Sequence, residues 1–206
     1  MCTDVCFAKF QMHTEQVSIR VRPIYREEID DALCLIHQSI REINAKDYTP
    51  TQIAKIVHLY HRAVLANGTV IVAEHRSKLV GVAKARLGFF IGQSIEAVFT
   101  HPQFINKGIG RALVTELERK ANLRNLPKLS VMASITAVDF YEALNYERIG
   151  EMPISGGIQC VLMEKQLRPA TIVDHVLGVI VLTLCIGIVF SALYALISLC
   201  IQLLIS

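Results

Sequence analysis

The sequence predicts an α/β fold of the α+β kind, a central sheet flanked by helices, with one further apolar helix at the C-terminus. Three observations predict it. Helical periodicity and short β-rich runs follow one another in the order β, α, α, β, β, β, α, β, α, β, β. The three central runs are separated only by turn-length gaps, which is the pattern of an antiparallel meander. Residues 176–206 contain no Asp, Glu, Lys or Arg.

The opening run alternates Val17, Ile19 and Val21 against Ser18, Arg20 and Arg22, the period of a half-buried strand. A helix follows, with Ile29, Leu33, Ile36, Ile40 and Ile43 on one stripe and Glu27 and Glu28 in its first turn, where the helix dipole favours acids. In "YTPTQIAKIVHLYHRAVLANG", Thr49 is the expected N-cap and Pro50 the first helical residue, with Asn67 and Gly68 ending the segment. The meander reads "TVIVAEH", "LVGVAKARLG" and "SIEAVFT". A glycine-containing loop then leads to a helix over 109–124, a buried strand "KLSVMAS", a short helix "TAVDFYEAL", and a closing strand pair turning over 153–157. The charge-rich segment over 26–31 reads as a solvated helix start.

The chain of 206 residues therefore divides into an N-terminal arm over 1–16, one folded domain over 17–167, a Pro169-containing linker over 168–175 and a tail over 176–206. As a helix that tail reaches roughly 46 Å at 1.5 Å per residue, and a hydrocarbon core needs only about 20 residues. It is expected to span a membrane once, leaving the folded domain in the cytosol beside Lys165 and Arg168, as in a tail-anchored protein. No signal peptide is apparent at the N-terminus. Within the tail, Gly187, Ser191 and Ala195 repeat a small residue every fourth position, which would let two such helices approach closely as a homodimer in lipid.

Composition removes several other classes. The six cysteines form no CxxC pair, so neither a zinc site nor a disulfide framework is expected. A net charge of +3 without a basic block interleaved with aromatics argues against nucleic acid as a partner. His58 and His61 stand three apart without a third ligand at suitable spacing, and read as surface or packing residues.

The chemistry concentrates in "EAVFTHPQFINKGIGRALVTELE". A strand runs through a loop into a helix start, and Gly108 and Gly110 remove the Cβ atoms that would block an anion at the helix amides. This suits a phosphate. No GK[ST] follows, so it is no Walker loop, and Leu113 occupies the place of the third Gly or Ala of a dinucleotide fingerprint.

The residues "VFTHPQFINKGIGRALV", followed after one strand by "ASITAVDFYEALNY", resemble the two core motifs of the GNAT acetyltransferases, and the resemblance covers about 17–167. It implies a mixed, mostly antiparallel sheet that splays between its fourth and fifth strands, with the pantetheine arm of acetyl-CoA in the split. The arm's amides would pair with the backbone of Val98, Phe99 and Thr100. The pyrophosphate would rest on the loop formed by Asn106, Lys107, Gly108, Ile109, Gly110 and Arg111. The family's Gln or Arg opening that loop is here Ile105, with Lys107 and Arg111 as substitute cations; its Asn after the fifth strand is replaced by Ile135 and Thr136; and its Gly of a "GY" ending is Asn145.

Acetyl transfer to an amine requires the nitrogen to lose a proton and the departing thiol, with a pKa near 8.5, to be stabilised or reprotonated. Tyr141 matches the family tyrosine beside the thioester sulfur and is the expected general acid, with Phe140 left to packing. Glu96 matches a position that carries a glutamate base in some members. Alternation places it opposite in direction to Ile95 and Ala97, toward the cleft. A water chain is the other way to remove the proton, and His101, before Pro102, is assigned to the turn. The expected function is an acetyl-CoA-dependent N-acetyltransferase acting by direct attack of an amine acceptor in a ternary complex, without a metal and tethered to membrane lipid by its tail. The alternative is a catalytically degenerate acyl-CoA-binding sensor or scaffold at a membrane.

Overall fold

The computed structural model describes residues 18–88, 92–154 and 157–168. Its elements are β1 (Arg20–Pro23), α1 (Ile29–Glu42), α2 (Pro50–Leu59), α3 (Arg62–Leu65), β2 (Thr69–His75), β3 (Lys78–Gly88), β4 (Gly92–Thr100), α4 (Ile109–Leu123), β5 (Lys128–Ser134), α5 (Val138–Glu142), β6 (Glu147–Ile154) and β7 (Ile158–Gln166). The arm, most of the linker, the tail expected to span a membrane and the small-residue repeat at Gly187, Ser191 and Ala195 lie outside the described residues. Among the described residues, no helix is long and apolar enough to cross a membrane.

The strands form one sheet in the order β1-β2-β3-β4-β5-β7-β6. Every neighbouring pair is antiparallel except β4 and β5, which run parallel and share only Ser94↔Ser130 and Ile95↔Val131. Beyond Ile95, β4 continues to Thr100 and β5 to Ser134 without pairing. The two halves of the sheet therefore splay, and backbone groups of β4 face a gap instead of a ladder.

Two apolar layers cover the sheet. On one face α4 buries Ile109, Leu113, Val114, Leu117 and Ala121 against Ala83, Ala85 and Ile95. It can lie close because position 81 is glycine. A Cβ there would come within 2.6 Å of Ile109 Cγ2 and 2.9 Å of Leu113 Cδ1, so that contact fixes the height of the α4 N-terminus over β3. On the other face α1 packs against Val70, Val72 and Val82. Its buried stripe is Ile29, Ala32, Leu35, Ile36, Ser39 and Ile40, rotated from the expected one, so Leu33 and Ile43 are only half-buried. The segment over 26–31 is more than a solvated start: Glu28 caps the Tyr25 N–H at 2.9 Å and its carboxylate pairs with Arg22 at 2.6 Å, while Arg22 also holds Glu74.

The single second helix of the sequence reading is two. Thr49 caps α2 as expected, accepting from Gln52 N–H while the Gln52 side chain takes the Thr49 N–H, and Pro50 opens the helix. The helix stops at Tyr60, whose backbone is extended (φ −102°, ψ 102°), and α3 restarts after it. The break is held by His37, whose Nε2 lies 2.8 Å from the Tyr60 carbonyl oxygen. Nor is β5 buried on both faces: Leu129, Val131 and Ala133 point into the core, and Met132 on the opposite face is 38% exposed.

Candidate active site

The helix start after β4 is built to leave its amides free. Asn106 (φ 60°) and Gly108 (φ 79°) both take the left-handed conformation, and Gly108 is the N-cap of α4 with no side chain capping it. The first helical bond runs from Ala112 N–H to Gly108 O at 3.0 Å, so the amides of Ile109, Gly110 and Arg111 precede the hydrogen-bonded ladder. With the positive end of the helix dipole behind them, they suit an anion. The two glycines serve different purposes. Gly108 supplies the backbone angle, for a Cβ there would touch nothing, whereas a Cβ on Gly110 would come within 3.1 Å of the Phe140 ring. Phe140 is thus the packing residue expected, and it sets how closely α5 approaches α4.

This helix start opens on a groove of about 580 Å³ lined by Val98, Phe99, Thr100, Asn106, Gly108, Ile109, Gly110 and Arg111, together with Ile105. Lys107 does not line it; its Nζ lies 4.9 Å over the Phe104 ring. Arg111 donates to the Ala143 carbonyl oxygen at 3.3 Å, which ties the guanidinium to the end of α5. Ile105 is 41% exposed and lines the groove, so at this position the groove offers backbone amides and no hydrogen-bonding side chain.

A second, smaller cavity of about 120 Å³ adjoins the groove, sharing Asn44, Val98, Phe99, Ser134 and Ala137 with it. Tyr48, Tyr60, Tyr141, Glu96 and Cys160 complete its walls. Tyr141 is only 4% exposed, with its ring edge-to-face against Phe140 and Tyr146 at centroid distances of 5.0 and 5.4 Å. Burial, and after it the neighbouring Tyr60, push its hydroxyl above the ordinary tyrosine range. Burial likewise pushes Tyr60 up to about 12 and raises the Cys160 thiol.

Glu96 occupies an irregular position. Lys84 pairs with Ala97 and Ala85 with Ile95, so Glu96 is the unpaired extra residue of a β-bulge. The bulge corrects the strict alternation expected from sequence: Glu96 opposes Ile95 but lines the same cavity as Ala97. It also lets Ile95 and Val98, three residues apart, both pack toward α4, which a regular strand forbids. Tyr60 donates from its hydroxyl to the Glu96 carbonyl oxygen at 3.2 Å and packs edge-to-face on Phe99. The Glu96 carboxylate pairs with Lys84 through Oε2 and with Arg86 through Oε1, the latter at 2.5 Å.

The sequence matches a family model described as an acetyltransferase (GNAT) domain over residues 42–167. The chain belongs to the GNAT acetyltransferase family. Among curated relatives, it is 32% identical over 74 residues to a GCN5-related N-acetyltransferase 2, chloroplastic, of Arabidopsis thaliana, covering 36% of this chain and 29% of that one. A Bacillus subtilis protein named as an acetyltransferase is 30% identical over 96 residues, covering 47% and 65%. The chain spans less than two thirds of the length of these relatives. Among solved structures, a GCN5-related N-acetyltransferase from Rhodopseudomonas palustris matches at TM-score 0.66 and 23% identity, over 75% of this chain and 99% of that one. A PaiA N-acetyltransferase from Thermoplasma acidophilum in complex with coenzyme A matches at TM-score 0.61 and 17% identity, over 72% and 99%. At these identities the solved structures establish the shared GNAT fold.

The remaining expected residues fall as follows. Asn145 adopts the left-handed conformation (φ 64°) after α5, as the substitution for a family glycine requires. His101 is a turn residue: its Nδ1 accepts from Gln103 N–H at 3.3 Å. Where the family Asn is missing, the Ile135 N–H donates to the Tyr48 hydroxyl at 3.0 Å and Thr136 Oγ1 donates to Asp47 at 2.6 Å. Sequence reasoning missed Tyr48, Tyr60, Lys84 and Arg86. Only the buried-strand position of Lys84 carried any signal, a lysine inside the apolar run "LVGVAKARLG". Among the described residues, no group of three or more His, Cys, Asp or Glu could hold a metal ion.

Proposed function

We propose that the chain is an acetyl-CoA-dependent N-acetyltransferase whose domain over 17–167 binds the thioester in the groove and the amine in the adjoining cavity. The observation that carries this reading is an uncapped helix start and an unpaired strand edge that open on one groove, next to a cavity walled by Tyr141. In it, the amides of Gly108, Ile109, Gly110 and Arg111 receive the pyrophosphate, with Asn106 and Lys107 in the same loop, and the backbone of Val98, Phe99 and Thr100 holds the pantetheine arm. Acetyl-CoA supplies an activated carbonyl: the amine nitrogen forms the N–C bond, the C–S bond breaks, and free CoA leaves.

Two protons must move on this chain's side. Glu96, or a water beside it, takes the proton of the attacking amine. Tyr141 gives one to the departing sulfur, a role supported by a hydroxyl that burial keeps protonated. Linker 168–175 and tail 176–206 then hold this domain to a membrane, with its Gly187, Ser191 and Ala195 face available to a second copy.

Full-length protein given acetyl-CoA and an amine panel should release free CoA. Tyr141→Phe should lower kcat by about 100-fold or more while acetyl-CoA affinity stays unchanged. Because its pKa lies above the ordinary value of about 10, Tyr141 keeps its proton to higher pH, so the alkaline limb of kcat should stay level past about pH 10. Full activity in Tyr141→Phe would remove it as the acid, and an alkaline decline centred near pH 8 to 9 that vanishes in that variant would show that burial does not keep its hydroxyl protonated. Acetyl-CoA binding without turnover of any amine would make the chain a binding module. For the tail, deletion of 176–206 should release the protein from the membrane fraction.

A further inference from the structure

We infer that the acceptor is an amine that also carries an anionic group, and that Arg86 receives that group; the inference rests on the acetyl-transfer reading above. Glu96 lines the small cavity, and its carboxylate gathers two cations from the neighbouring strand, so the charges there do not balance. Glu96 contributes one negative charge, and both Lys84 and Arg86 are paired with it. The cluster therefore carries a net charge of +1 beside the place where the amine reacts.

The two cations are not equivalent. The Lys84 side chain is 7% exposed and ends on Glu96 inside the protein. The Arg86 side chain is 51% exposed and reaches Glu96 through Nη2. A guanidinium has five N–H donors, so most of its fork remains for a second anion. Arg86 stands two residues from Lys84 on the same strand, hence on the same face of the sheet.

Among the described residues paired across from Arg86 on that face, none supplies the missing negative charge. Arg86 pairs in register with Ser94, and Ser94 with Ser130, both neutral. The acid opposite Ser130 is Glu164, and Lys128 holds both of its carboxylate oxygens at 2.8 and 2.9 Å. A substrate carboxylate on Arg86 would complete a quartet of two cations and two anions beside Glu96. The same contact would orient the acceptor with its nitrogen toward Glu96 and Tyr141 and its anion toward solvent. Arg86 is thus a specificity residue that touches the part of the acceptor that does not react.

The test compares two amines of similar length, γ-aminobutyrate and butylamine, with the full-length protein and release of CoA as the readout. The wild type should show the higher kcat/KM for γ-aminobutyrate. Arg86→Gln should lower the ratio of the γ-aminobutyrate value to the butylamine value by roughly tenfold, and Arg86→Lys should restore part of that ratio. An equal fall for both amines would mean that Arg86 acts only through Glu96, and a wild-type preference for butylamine would place no anion site there; either result overturns the inference and leaves acetyl transfer standing. Failure of every amine to release CoA from bound acetyl-CoA would overturn the transfer reading itself, and this inference with it.

Discussion

The groove and the small cavity meet at Val98 and Phe99, yet they are made of different materials. The groove is backbone: left-handed Asn106 and Gly108, the uncapped amides of α4 and the unpaired edge of β4. The cavity is side chains brought from α2, β4, β5, α5, β7 and the turn after α1. A backbone site tolerates exchange of the residues around it, which is why Ile105 can sit where the family places a hydrogen-bond donor. A site of side chains changes its preference with each exchange.

This contrast can be broken at its most rigid point first. Gly110→Val would drive methyl groups into the Phe140 ring, already 3.1 Å from a bare Cβ, and displace α5 together with Tyr141. Overpacking of this kind costs about 1–3 kcal/mol, so a Tm lower by several degrees is expected, with acetyl-CoA affinity weakened about tenfold or more by calorimetry. Wild-type affinity in that variant would show that the helix start does not bind the cofactor. A smaller and more selective effect is expected on the cavity side. Tyr48 donates to Gln159 O at 2.9 Å and accepts from Ile135 N–H at 3.0 Å, so Tyr48→Phe strands two polar groups at a cost of about 1–3 kcal/mol. It should raise the amine KM several-fold and leave acetyl-CoA affinity within about twofold; the reverse pattern would mean that the two regions are not separable. The gentlest change sharpens the contrast instead. Ile105→Gln adds a donor at the groove and should tighten acetyl-CoA by about two- to fivefold, the worth of one exposed hydrogen bond, and a weaker affinity would show that the apolar residue belongs there.

The same division decides what could be read from the sequence. Gly108, Asn106 and the strand-loop-helix order are local, and their consequence for an anion follows from dihedral preference and the helix dipole. The element order survives for the same reason. Three things did not follow. The break at Tyr60 depends on His37, twenty-three positions earlier in the chain, holding its carbonyl. The pairing of Lys84 and Arg86 with Glu96 depends on strand register, which alternation along one strand cannot supply. Tyr48 reaches the end of β5 and the start of β7 from a turn that sequence offers only as a polar interruption. Each is a contact between different elements of the fold, and the small cavity consists almost wholly of such contacts.

The extra residue at Glu96 makes length, and not only composition, a property of this strand. Removing Glu96 would give a regular ladder with β3 that keeps Val98 opposite Ala83 and Phe99 opposite Val82, with Ile95 and Val98 then two residues apart on one face. Every neighbouring side chain would keep its direction, and what the cavity would lose is the carboxylate, with the partner it gives to Lys84 and Arg86. The irregularity is thus an insertion that adds one acidic group to a strand whose pairing on either side does not depend on it.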